Sequence, residues 1–135
     1  WRLELFGGAA ARLEPVADRR DACRLEIAAP GDRNWHVKLS RPPVALARGA
    51  AYELRAELRA DAERAITWCV VRGREPWDAL GLSEGMVLGP AWRSVVLSFA
   101  ASDDDPGALP CLLVGGDETA VELGPVQFLP MGGRP

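Results

Sequence analysis

The feature that most constrains the fold is a stretch near the middle of the chain, in which apolar and charged residues alternate. Positions 50–65 read AAYELRAELRADAERA, and nearly all of these residues favour helices by propensity. On a helix the apolar and charged sets would interleave around the axis and leave no apolar face, whereas on a strand they separate onto opposite faces. We therefore predict a half-buried β-strand here.

Turn signals divide the rest of the chain into short segments. Fourteen glycines and eleven prolines lie along its 135 residues, with turn signals roughly 8 to 20 residues apart, as in all-β domains. Alternation recurs at 35–39, 66–70 and 92–100. We predict about eight to ten strands in one all-β domain, a two-sheet antiparallel β-sandwich over residues 1–130, followed by a flexible tail at 131–135.

Charge and hydropathy exclude several function classes. Sixteen basic and nineteen acidic residues give a net charge of −3, which argues against a nucleic-acid partner. No segment reaches the ~18 apolar residues of a membrane span or resembles a signal peptide. Because the chain begins with Trp1, we expect it to be part of a longer protein. Lys38 is the sole lysine among the sixteen cations, which favours a bacterial source with a GC-rich genome.

The cysteines and the single histidine offer little chemistry. Cys23, Cys69 and Cys111 are widely spaced without a CxxC pair, so no metal site is predicted, and the three are expected to be free thiols packed as small apolar groups. One disulfide among them is the alternative for an exported protein. No nucleophile motif accompanies His36, and the acidic run at 103–105 is typical of a solvated turn. We therefore predict no catalytic residues and no enzyme.

The order of landmarks along the chain resembles a known family. The most specific block is W-x-V-x-L at 35–39 followed by L-x-x-G-x-x-Y-x-L at 46–54. Further landmarks are GAAA at 8–11, RLEI at 24–27, RAD at 59–61, ITW at 66–68, PW at 76–77, VL at 87–88 with Trp92, Phe99 with Ala101, and LVGG at 113–116. Together they resemble the galactose-binding-like jelly-roll carbohydrate-binding modules of the family 4/9/22 type.

This resemblance implies a function as well as a fold. It implies a jelly roll that is not catalytic and binds a poly- or oligosaccharide in a shallow groove, as an accessory to neighbouring domains of a secreted or periplasmic protein. The family's last strand usually carries an aspartate that helps to hold a structural calcium ion. Here Gly124 lies in that region, so no cofactor is expected and the calcium site is in doubt.

The resemblance also points to candidate ligand-binding residues. Alternation places His36 and Lys38 on the non-core side of their strand, at positions that match polar groove residues of the family. Thr67, Cys69 and Val71 share the corresponding side of another strand, which is more apolar than the family pattern. That apolar side favours the alternative function, a β-sandwich that has lost sugar binding and serves as an interaction or packing domain.

Aromatic and arginine side chains complete the candidate site. Trp77 follows a proline in a loop, where core alternation does not require an aromatic residue, so it is the best candidate for stacking on a sugar ring. Arg72 and Arg74 border this loop and could bind hydroxyls or a uronate carboxylate. The alternation places Trp68 on the core-facing side of its strand, so it would contact a ligand only if a bulge turned it outward. Trp35 and Trp92 are also expected in the core.

Overall fold

The computed structural model describes residues 1–131 and consists almost entirely of β-strands. Its strands are β1 (Arg2–Leu5), β2 (Ala10–Val16), β3 (Arg19–Ala29), β4 (Val37–Ser40), β5 (Val44–Leu46), β6 (Ala51–Ala60), β7 (Arg64–Val71), β8 (Ala79–Leu88), β9 (Arg93–Ala100), β10 (Asp105–Leu113) and β11 (Val121–Met131). A single 3₁₀ turn, Asn34–His36, precedes β4. Within residues 1–131 no helix is long and apolar enough to cross a membrane.

The strands form two antiparallel sheets. Sheet 1 has the order β1-β4-β10-β7-β8, with β5 pairing with the first part of β10, and sheet 2 has the order β2-β3-β11-β6-β9. Their inner faces pack together into one large apolar core. The predicted two-sheet β-sandwich is confirmed.

The alternating stretch forms β6, as predicted. Tyr52, Leu54, Ala56, Leu58 and Ala60 are all buried, whereas the charged residues between them are exposed or half-buried. The segment forms a strand despite its helix propensity. Pairing between β11 and β9 buries one complete apolar face, and the free energy of this burial outweighs intrinsic helix preferences of a few tenths of a kcal/mol per residue.

The paired registers decide which side chains share the outer face of sheet 1. Directly opposed residues point to the same side of a sheet. One outward row contains Lys38, Leu113 and Thr67, the next contains Ser40, Cys111 and Cys69, and the last contains Leu109 and Val71. The intervening residues, such as Leu39, Leu112 and Trp68, face the core. The predicted outward position of Thr67, Cys69 and Val71 is therefore correct.

Two details differ from the sequence-based boundaries. Residues 1–131 form eleven strands, because short segments such as β1 and β5 also pair. The last strand continues through Met131, which the sequence assigned to the tail, because it pairs with Ala51. The rest of the predicted tail, 132–135, lies outside the described residues.

Candidate functional site

A groove of about 590 Å³ lies on the outer face of sheet 1. Its floor comes from the strands, and its walls come from aromatic side chains in the connecting segments. The lining residues are Glu4, Phe6, Trp35, Lys38, Cys69, Val71, Pro76, Trp77 and Leu113. A concave surface lined mainly by apolar groups with a few polar ones is typical of a small-ligand site.

Trp77 forms one wall, in agreement with its predicted exposure. Its side chain is 48% exposed although tryptophan is among the most apolar residues. Its backbone φ of 58° lies in the left-handed region, which a bulky residue rarely adopts and which costs of the order of 1 kcal/mol or more. The ammonium of Lys38 lies 5.4 Å from the centre of its ring. The fold thus holds this indole outside the core at an energetic cost.

Trp35 forms another wall, and here the sequence prediction was wrong. Trp35 was expected in the core, but 49% of it is exposed. The strand begins only at Val37, because residues 34–36 form a 3₁₀ turn that breaks the alternation. The Trp35 ring lies 5.8 Å from the Phe6 ring and 4.4 Å, edge-on, from the His36 ring. These neighbours fix its orientation toward the groove.

His36 is correspondingly buried rather than exposed in the groove. Only 8% of it is exposed, and its Nδ1 accepts a hydrogen bond of 3.2 Å from the backbone N–H of Asp32. Gly7 and Gly31, both with positive φ, leave the space that its ring fills, since a Cβ at either position would come within 2.6 Å of the imidazole. His36 does not line the groove; it supports Trp35 from behind.

The turn that presents Trp35 rests on the loop between β10 and β11. The N–H of Gly115 donates to the carbonyl of Asn34 at 2.8 Å, and the N–H of Gly116 donates to the carbonyl of Pro30 at 3.0 Å. Arg64, which is buried, holds this loop in turn. Its guanidinium donates to three loop carbonyls at 2.8 to 3.2 Å, those of Val114, Asp117 and Thr119.

The floor of the groove combines one ion pair with an apolar strip. Lys38 lies in the groove, as predicted, with its Nζ 4.0 Å from Oε1 of Glu4 on the neighbouring strand. Beside this pair, Val71 and Leu113 pack with the two outward cysteines in a small cluster of their own. The floor therefore offers two opposite charges, a donor and an acceptor for a ligand, surrounded by apolar surface.

The remaining predicted ligand residues do not line the groove. Trp68 is 0% exposed, because the irregularity in β7 falls between Val70 and Val71 and leaves it in core phase. Arg72 is paired with Asp78 at 2.8 Å and with Asp103 at 3.1 Å. These carboxylates raise the pKa of Arg72 above its usual value and tie the guanidinium to its own loop.

Arg74 is exposed and approaches the carboxylate of Asp105 at 3.5 Å, away from the groove lining. The prediction that the acidic run 103–105 is a solvated turn is wrong for Asp105, because this residue is buried. It accepts hydrogen bonds from the N–H groups of Gly107 at 2.9 Å and Gly73 at 3.0 Å. These two bonds, that of Gly107 foremost, hold the pKa of Asp105 below its usual range.

The other two tryptophans lie outside the groove. Trp1 packs against the core, with its ring 6.3 Å from that of Trp68. Trp92, which was expected in the core, is only partly buried and lies beneath the guanidinium of Arg19, 4.2 Å from the ring centre.

The residues present do not fit the family's calcium ion. Within residues 1–131 no three His, Cys, Asp or Glu side chains lie close enough together to hold a metal ion. At Gly124, a side chain would begin 3.3 Å from a guanidinium nitrogen of Arg19. A cation already occupies this neighbourhood, which disfavours a second one.

Sequence reasoning missed five groove residues: Glu4, Phe6, Trp35, Pro76 and Leu113. Trp35 carried a usable signal, because the turn-forming run Pro30-Gly31-Asp32 lies shortly before it and could have shifted the start of the strand. Phe6 lies directly before Gly7-Gly8, so its position beside a turn could also have been predicted from the sequence. Glu4 and Leu113 depend on the pairing of β1 and β10 with β4, which local patterns do not reveal.

Solved structures with the same fold include several carbohydrate-binding modules. A CBM4 structure matches with a TM-score of 0.80 at 23% identity, over 93% of this chain and 81% of that one. The N-terminal cellulose-binding domain of Cellulomonas fimi β-1,4-glucanase C matches with a TM-score of 0.67 at 19% identity, over 84% and 81% of the two chains. The CBM22-1 xylan-binding domain of Paenibacillus barcinonensis Xyn10C matches with a TM-score of 0.61 at 12% identity, over 98% and 87%.

Comparison with protein-family models found no match, and neither did comparison with curated protein sequences. The three structural matches are below 25% identity, so the feature they share with this chain is the jelly-roll fold. The resemblance predicted from the order of landmarks is confirmed at that level.

Proposed function

We propose that this chain is a non-catalytic carbohydrate-binding domain that holds a poly- or oligosaccharide in the groove on sheet 1. The observation that carries the proposal is that Trp35 and Trp77, both about half exposed, line a single groove. Half-exposed tryptophans forgo part of the free energy that burial would supply, and a ligand that covers them would recover it.

The chemistry of the groove suits a sugar chain. Indole rings stack on the C–H faces of pyranoses, while Lys38 and Glu4 on the floor can exchange hydrogen bonds with hydroxyl groups. Apart from this pair, the groove lining carries no charged side chain among the described residues. We therefore favour a neutral glycan, whose hydroxyls need few charged partners, over one rich in uronates.

The wider setting follows from the same proposal. The structurally similar proteins include a cellulose-binding and a xylan-binding domain, so glucan and xylan chains are the first ligands to test. A shallow site of this kind binds weakly by itself and gains from attachment to a larger protein, because tethering raises the effective concentration. We accordingly propose an accessory role beside other domains of a secreted or periplasmic bacterial protein.

Affinity electrophoresis tests this function on the 135-residue chain, with hydroxyethylcellulose or xylan included in native gels. We expect retardation by at least one of these polymers. Replacing either wall, Trp77→Ala or Trp35→Ala, should weaken binding at least tenfold, since truncation of an aromatic hot spot costs about 2 kcal/mol or more.

The matched control is Val96→Ala, which removes an exposed apolar side chain from sheet 2, away from the groove. This variant should bind as the parent does. The carbohydrate proposal is wrong if neither polymer retards the parent chain in the gel and no neutral glycan on an array binds it.

The apolar floor supports a second candidate, an interaction domain that docks a protein surface on the same groove. Val71, Cys69 and Leu113 line the floor with apolar groups, which cannot exchange conventional hydrogen bonds with sugar hydroxyls. Leu113→Glu, at the half-buried edge of this floor, should then abolish a self-association seen by analytical ultracentrifugation. A monomeric parent chain that binds glycan contradicts this candidate.

A further inference from the structure

Two of the three cysteines face each other across neighbouring strands. Cys69 on β7 and Cys111 on β10 are direct partners in the antiparallel register, on the outer face of sheet 1. Opposed residues in such sheets have Cα atoms about 4.5 to 5.5 Å apart, within the 4.4 to 6.8 Å that a disulfide requires. Cys23 lies on β3 of sheet 2, so it is not a partner for either.

The two thiols differ in reactivity. The Cys111 thiol donates to the carbonyl of Leu109 at 3.3 Å, and its sulfur neighbours that of Cys69 on the adjacent strand. The neighbouring Cys111 sulfur, aided by the Lys38 ammonium, lowers the pKa of Cys69, whereas the same contact, together with burial, raises the pKa of Cys111. Cys69 is therefore the sulfur that ionises first, and thiolates are the reactive form.

Access is also asymmetric. Cys69 lines the groove, although only 4% of its surface is exposed, and Cys111, beside it on β10, is fully buried. A small oxidant that enters the groove therefore meets Cys69 first, with Cys111 in position as the second thiol. A low-pKa cysteine beside a resolving cysteine is the arrangement of redox-sensitive sites.

We propose that Cys69 and Cys111 are a redox-active dithiol that a hydroperoxide converts into a disulfide between β7 and β10. The Cys69 thiolate attacks one oxygen of hydrogen peroxide, the O–O bond breaks, and the leaving hydroxide takes a proton to become water. The Cys111 sulfur then attacks the resulting sulfenic acid, the S–O bond breaks, and the hydroxyl leaves with the Cys111 proton as a second water. Two thiols lose two electrons, and one peroxide is reduced to two waters.

Peptide mapping tests the proposal on the full chain, without any glycan, so its outcome is independent of saccharide binding. The reduced protein is exposed to hydrogen peroxide, alkylated with iodoacetamide in denaturant, and digested with trypsin. The sequence releases Cys69 in peptide 65–72, Cys111 in peptide 94–135 and Cys23 in peptide 21–24. We expect 65–72 linked to 94–135 within a monomer, with the link broken by dithiothreitol.

Variants assign the roles of the two sulfurs. Cys23→Ser, the matched control, should give the same linked peptides as the parent chain. Cys111→Ser should leave Cys69 as a sulfenic acid that dimedone traps, and Cys69→Ser should leave Cys111 available for alkylation. The proposal is overturned if both peptides of the oxidised parent are recovered alkylated, if Cys23 takes part in the link, or if the link joins two chains.

Discussion

Replacement of Gly115 by alanine should displace the turn that carries Trp35. The backbone of Gly115 has no positive φ, so alanine is conformationally acceptable and the effect is steric. An added Cβ would lie 2.2 Å from the carbonyl oxygen of Arg33 and 2.8 Å from that of Asn34, whereas real Cβ atoms essentially never approach closer than 3.0 Å. Because the obstructing atoms are backbone, the 3₁₀ turn itself must move.

The expected cost follows from these contacts. Overpacking a well-packed site costs about 1 to 3 kcal/mol, and weakening the bond from the Gly115 N–H to Asn34 adds about 1 kcal/mol. Reduced entropy of the unfolded chain returns about 0.4 to 1 kcal/mol. We therefore expect the free energy of unfolding to fall by roughly 1 to 3.5 kcal/mol.

The neighbouring glycine provides a matched control. Gly116 has a φ of +80°, but its added Cβ would meet only one atom, 4.0 Å away. Gly116→Ala should therefore cost about 1 to 2 kcal/mol through left-handed backbone strain, without pushing on Arg33 or Asn34. The two variants carry the same substitution in adjacent positions and differ in whether Trp35 moves.

Urea unfolding and glycan-containing gels separate the two effects. Both variants should lose stability, but only Gly115→Ala should also lose affinity, by about tenfold if the Trp35 wall contributes 1.4 kcal/mol. The steric reasoning is refuted if Gly115→Ala is as stable as the parent chain. The link between this turn and binding is refuted if a folded Gly115→Ala variant retains full affinity for a glycan that the parent binds.

Two further predictions concern stability. Arg64→Met should lower the free energy of unfolding by about 2 to 4 kcal/mol, because it leaves the buried carbonyl of Val114 and the part-buried carbonyls of Asp117 and Thr119 without this donor. The exposed Arg93→Met should change it by less than about 0.5 kcal/mol, and equal losses for the two variants in urea unfolding would contradict this. Asp105 binds its proton at lower pH when folded, so the stability it contributes is present above the unfolded pKa of about 4 and is lost as pH falls through the folded value. Asp105→Asn should therefore be less stable at pH 7 and lose less stability between pH 5 and pH 2; an unchanged pH dependence in urea unfolding would refute this role.

Much of the fold was predictable because it follows from local patterns. The alternation in β6 identified a strand against its helix propensity, since residues that alternate at every second position separate onto two faces on a strand but not on a helix. The outward position of Cys69 and Val71 followed from the same periodicity. The short strands β1 and β5 were missed, because three or four residues carry too little periodicity to register.

The site was less predictable, because it depends on where the alternation stops. One 3₁₀ turn exchanges the expected positions of Trp35 and His36, so a correct strand pattern assigned the wrong aromatic residue to the core. Trp77 was identified because it lies in a loop, so its exposure could be predicted without knowing which residues of a strand face the core. Arg72 and Arg74 were plausible from sequence, but both also pair with carboxylates about thirty residues away, at 103 and 105, which local patterns could not assign to them.

The division of the groove between rigid strands and connecting segments has a consequence for engineering. Its floor is fixed by the hydrogen-bonded register of β4, β10 and β7, whereas Trp35 and Trp77 stand on segments that precede β4 and follow β7. Segment 72–78 could therefore be replaced by loops of other lengths and sequences while the strands beneath keep their pairing. Ligand preference can diverge in this architecture through loop exchange, with the sandwich retained as a constant scaffold.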